Sequence, residues 1–79
     1  MSRDETLCMW VIYDHPSEFP DSFVARRWEI RRGVPDPIPT TDVLRSEQLP
    51  MLRRYLEGKG LFCLGRMPGD EPNVVEAWF

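Results

Sequence analysis

Proline placement limits what this chain can fold into more than any other feature. All but one of its eight prolines fall in three short stretches, "DHPSEFPDS", "GVPDPIPTTD" and "MPGDEPN". A proline ring has no N–H to give, so none of these residues can donate to a central sheet ladder, and the clusters read as loops. Four strand candidates and one helix remain between them.

Met9 to Tyr13 is apolar at both parities, as in a strand covered on both faces, and this places it centrally in a sheet. Phe23 to Arg31 alternates instead: Val24, Trp28 and Ile30 share one parity, Arg27, Glu29 and Arg31 the other. The first set is expected to anchor the strand to the core and the second to decorate a solvated face. Arg26 falls on the parity of Val24 and Trp28, which implies snorkelling, stacking on Trp10 or Trp28, or a bulge that resets the register.

"SEQLPMLRRYLEGKG" predicts a helix, with Ser46 as its N-cap, Leu49, Leu52 and Leu56 on one stripe and Gly58 as its stop. Pro50 suits only the first turn, so regular helix begins near it. Arg53 and Arg54 lie toward the C-terminal half, where positive charge suits the macrodipole. Leu61 to Arg66 and Val74 to Phe79 read as a hairpin around a type II turn at Pro68-Gly69. Val75, Ala77 and Phe79 form an apolar parity expected to face the helix, leaving Val74, Glu76 and Trp78 opposite. The expected class is α+β, ββαββ, an antiparallel sheet with one helix on one face. "DVLR", Asp42 to Arg45, is a candidate short fifth extended piece.

At 79 residues the chain has room for one domain, burying roughly 60% of its unfolded surface. Its 42% hydrophobic content, rich in aromatics, suffices for one modest core. A net charge of −3 gives no global pull toward phosphate. The run "LCMWVIY" is far short of the roughly 20 residues a membrane helix needs. "MSRDET" has acids where a secretory signal carries basic residues, so the cytoplasm is the expected compartment. Cys8 and Cys63 sit in apolar strand-like runs and are expected to be reduced, buried thiols.

"MWVIYDHPSEFPDSFVARRWE" resembles a segment of a group of short, uncharacterised bacterial proteins, over most of the chain from Met9 onward. The resemblance implies no activity. It does imply Met9 as an alternative start, with 1–8 a flexible N-terminal arm and 9–79 the single α+β domain.

Motifs for chemistry are sparse. The one histidine, His15, has Asp14 and Ser17 nearby, but neighbours in an extended loop point apart and no G-x-S-x-G elbow exists. Cys8, His15 and Cys63 lack the spacing of a metal site, and "GKGLF" is not a phosphate loop. No metal and no cofactor is expected. "RRWEIRR", Arg26 to Arg32, combines arginine with an aromatic, as single-strand nucleic-acid platforms do, yet lacks the RNP1 order.

The leading expectation is a non-catalytic protein-interaction or self-associating module, contacting a protein partner or a second copy through Arg27, Arg31, Glu76 and Trp78 on the open sheet face. The alternatives are a small enzyme or ligand-binding protein with a site at Asp14, His15, Arg26 and Arg66, with Glu18 beside them, and a nucleic-acid binder using the Arg26 to Arg32 strand. The acidic balance disfavours nucleic acid, and no membrane partner is expected.

Overall fold

A computed structural model of the chain describes residues 6–66 and 71–79. These form β1 (Thr6–Asp14), β2 (Phe23–Arg31), β3 (Ile38–Ser46), α1 (Leu49–Gly58), β4 (Cys63–Gly65) and β5 (Val74–Trp78). The strands build one sheet in the order β3-β2-β1-β5-β4, with every neighbouring pair antiparallel. The fold is α+β, a single helix packed on one antiparallel sheet, and β1 occupies its centre.

The element order is βββαββ, because the piece expected at Asp42 to Arg45 extends to nine residues. Pro39 lies inside β3, paired with Trp28. An edge strand tolerates a residue without an N–H, since one side of its backbone faces no neighbour. β1 begins at Thr6, paired with Arg31, so residues 6–8 belong to the sheet rather than to an arm. The turn expected at Pro68-Gly69 lies outside the described residues, as do 1–5.

Residue Gln48, in extended backbone, caps α1, and Pro50 occupies the first turn as expected. Ser46 is not the N-cap: its Oγ accepts the Gln48 N–H at 3.0 Å, two residues too early to serve the helix. Gly58 is the last helical residue, and the stop is Gly60. At φ +85°, Gly60 donates its N–H to the Glu57 carbonyl (2.9 Å), while Leu61 donates to Leu56 (3.3 Å). This is a Schellman closure, which requires the left-handed residue that glycine supplies.

The core under α1 gathers Trp10, Ile12, Ala25, Leu52, Leu56 and Trp78, with Leu49 and Leu61 packed at its margin. A smaller cluster on the other sheet face joins Val11, Val74 and Ala77 to Met9, Tyr13 and Trp28. Both parities of β1 are thus covered by side chains, which is why it reads as continuously apolar.

The faces expected for β2 and β5 are corrected here. Phe23 and Ala25 of β2 lie under α1, so Trp28 belongs to the opposite face. Ala25 is fully buried; a methyl side chain lets the helix approach the sheet, whereas an indole at that position would hold it away. In β5 the register moves from Ile12–Glu76 to Tyr13–Val74, leaving Val75 unpaired in a bulge. The extra residue breaks strict alternation. Val75 and Trp78 then pack under α1 while Val74 and Ala77 face away.

Candidate functional site

The sheet face away from α1 carries a cross-strand row of large apolar side chains. Trp28 of β2 pairs with Met9 of β1. The Trp10–Trp78 register brings Phe79 beside Met9, and Phe79 exchanges backbone hydrogen bonds of 2.8 and 3.0 Å with Phe62. Alternation from Trp78 and Leu61, both under α1, puts Phe79 and Phe62 on the far face with Trp28 and Met9. Exposure rises toward the β4 edge: Phe79 is 37% exposed and Phe62 76%, and Leu7 at the start of β1 is 63% exposed.

Two adjoining hollows, of about 320 and 510 Å³, share Tyr13, Trp28 and Glu71 on this face. Glu18 and Arg26 stand at the rim of the larger one, where Arg26 Nη2 meets Glu18 Oε1 at 3.2 Å and Nη1 donates to the Thr40 carbonyl at 3.1 Å. The Trp28 Nε1 is buried and has no acceptor among the described residues.

Most of the ionic side chains of the sheet lie on the α1 side. Arg27 Nε donates to Asp42 at 2.6 Å, and its Nη1 reaches Glu29 (3.2 Å) and the Cys8 sulfur (3.4 Å). Arg31 grips Glu29 Oε1 through Nε (3.1 Å) and Nη2 (2.8 Å). The hydrogen bond to Asp42 does most to raise the Arg27 guanidinium pKa, and hydrogen bonds from Arg31 and then Arg27 hold the Glu29 carboxyl below its usual range. A hollow of about 540 Å³ opens beside Arg27, walled by Trp10 and Tyr55. Lys59 Nζ lies over both rings, 5.7 and 5.2 Å from their centroids.

The four residues expected to bind a partner do not share an open surface. Glu76 and Trp78 are buried beneath α1, where Trp78 Nε1 donates to Glu76 Oε2 at 2.8 Å. Arg27 and Arg31 lie on the same side of the sheet and are held by carboxylates. The bulge at Val75 and the small Ala25 account for the inversion.

Nor does the alternative set converge. His15, in left-handed backbone at φ 49°, bonds Asp14 through Nδ1 and meets the Phe23 ring edge-on at 4.9 Å. Phe23 packs under α1, so this pair sits away from Arg26, which lines the far-face hollow. Arg66 donates to the Val74 carbonyl at 2.7 Å and to that of Pro72 at 3.3 Å.

Contrary to expectation, Cys8 and Cys63 are both exposed as well as free. Cys8 lies near the start of β1, and Cys63 begins a three-residue edge strand. Among the described residues no group of three His, Cys, Asp or Glu is placed to hold a metal ion, and no helix is long and apolar enough to cross a membrane.

Sequence reasoning missed Met9, Phe62, Leu64 and Phe79 as surface residues. The available signal was "GLFCLG", where glycines bracket an apolar run too short to be a well-covered strand. Comparison with protein families, with curated proteins and with solved structures finds no match for this chain.

Proposed function

We propose that the protein is a small non-catalytic interaction module whose working surface is the sheet face opposite α1. The observation that carries this reading is the row Trp28, Met9, Phe79 and Phe62, an apolar band that no helix among the described residues covers and that grows more exposed toward the β4 edge. Contiguous apolar surface on a small soluble domain marks a place of contact, because water penalises leaving it open. Aromatic and methionine side chains are the residues enriched at interface centres.

The nucleic-acid alternative draws less support, since Arg26, Arg27 and Arg31 each already meet a carboxylate. A ligand site at the His15 loop lacks convergence with Arg26. Two exposed free thiols suit a reducing compartment such as the bacterial cytoplasm.

A photo-crosslinking amino acid at position 62, introduced in producing cells, tests the reading. Adducts are expected there and not at position 54 on the exposed side of α1. Equal yields at both positions, or none at either, would refute it.

A further inference from the structure

We infer that the hollow at the C-terminal end of α1, between Lys59 and Arg27, binds a small organic anion: one carboxylate carried on a flat aromatic body. This site lies on the helix side of the sheet and is independent of the apolar band on the other face.

The hollow follows from unequal lengths. β1, β2 and β3 have nine residues each, about 30 Å of extended chain, whereas the ten residues of α1 rise only about 15 Å. One such helix cannot roof the whole face. Tyr55, Lys59 and Leu61, from the end of the helix and the turn after it, meet Cys8, Arg27 and Asp42 of the strands around a space of about 540 Å³. That volume is of the size that small organic ligands occupy, roughly 300–1,000 Å³.

Charge selects the ligand. Lys59 Nζ lies 5.7 and 5.2 Å from the centroids of the Trp10 and Tyr55 rings and meets no carboxylate among the described residues. Arg27 gives Nε to Asp42 and Nη1 to Glu29 and Cys8, which leaves its Nη2 without a partner among the described residues. The lining therefore holds two positive side chains against one negative, Asp42; Glu29, next to it, is matched by Arg31. A single carboxylate balances that surplus. A doubly charged phosphate would set its second charge against Asp42. Carbonyls at the end of α1, which would oppose an anion, already accept from the N–H groups of Lys59, Gly60 and Leu61.

The walls supply the place for a ring. Trp10, Leu44 and Leu61 belong to the core or its margin and also line the hollow, while Tyr55 is left half exposed beside them. A flat apolar body entering here would cover aromatic surface that water now touches and bring its carboxylate to the ammonium.

Titration of the isotope-labelled full chain with benzoate and with naphthoate, followed by amide NMR, tests the inference. Saturable shifts are expected at Arg27, Tyr55 and Lys59 and not at Tyr13 or Trp28. Naphthamide, which has the shape without the charge, should bind about tenfold more weakly than naphthoate. Lys59→Met should weaken naphthoate binding about fivefold or more and Lys59→Arg should keep it, whereas Arg54→Met, on the exposed side of α1, should leave it unchanged. No saturable shift with either acid at millimolar concentration, shifts centred on Tyr13 and Trp28, or equal affinity for naphthamide overturns the inference. So does undiminished binding in Lys59→Met, or equal weakening by Arg54→Met.

Discussion

Arg53 of α1 holds Glu76 of β5 through two parallel hydrogen bonds of 2.9 Å each, Nε to Oε2 and Nη2 to Oε1. Glu76 is the one charged residue buried among the described residues, and Trp78 Nε1 adds a third donor to it. The fork joins the helix to the sheet across 23 residues of sequence. Burial has the largest influence on the Glu76 carboxyl and pushes its pKa up. The donors Arg53 and Trp78, the Arg53 charge and a hydrogen bond from Cys63 together outweigh it, so the net displacement is downward.

Arg53→Ala should therefore lower stability at neutral pH by about 1–2 kcal/mol. This is the modest end for a buried carboxylate losing a partner, because the Arg53 side chain is 44% exposed and solvent screens it. Glu76 has a depressed folded pKa, so its contribution is complete above its unfolded value near 4.5 and is lost as pH falls through the lower folded value. Urea titrations of wild type and Arg53→Ala at a series of pH values should converge at the acid end. A constant gap down to the most acid pH would contradict the ion-pair account.

Trp28 combines a large, partly buried ring with a buried hydrogen-bond donor that has no acceptor among the described residues. Trp28→Ala should cost about 2–3 kcal/mol, below the value for a fully buried aromatic, because Trp28 remains partly exposed. Trp28→Phe should cost under about 1 kcal/mol, since removing the unpaired N–H offsets part of the lost area. Denaturant midpoints for the two variants measure the difference.

Gly58 and Gly60 should respond oppositely to alanine. A Cβ at either meets nothing within 4 Å, so backbone conformation alone decides. Gly58 is helical, and Gly58→Ala should stabilise by about 0.5–1 kcal/mol. Gly60 stands at φ +85°, and Gly60→Ala should destabilise by about 1–2 kcal/mol. Thermal melts that shifted in the same direction for both would refute the Schellman assignment.

Cys8 and Cys63 should both react with a thiol reagent in the native protein, at two equivalents per chain without denaturant, because both are exposed and free. Labelling of one or none before unfolding would show that a thiol is covered.

Elements whose signal is local were legible. Leu52 and Leu56 are buried where helical spacing places them, because the 3.6-residue period depends on nothing beyond the helix. The central position of β1 was readable for the same reason: Val11 and Ile12 are neighbours in sequence and both buried, which requires cover on two faces. The proline clusters located most loops correctly, but the third proline of "PDPIP", Pro39, entered an edge strand, since a donor is dispensable where no neighbour waits for it.

The sequence alone determined the α+β class, the single helix and the two side-chain sets along β2. Which set lies under the helix was a tertiary matter. Periodicity separates two faces without labelling them, and here Ala25 of β2 gave α1 room while Trp28 went to the other side. The same holds for β5, where one unpaired residue, Val75, carried Glu76 and Trp78 under α1. A bulge arises from pairing with β1, a strand about sixty residues away in the chain, and no local pattern encodes it. The open face was therefore misread in composition, charged instead of apolar, because its identity depends on where the helix docks.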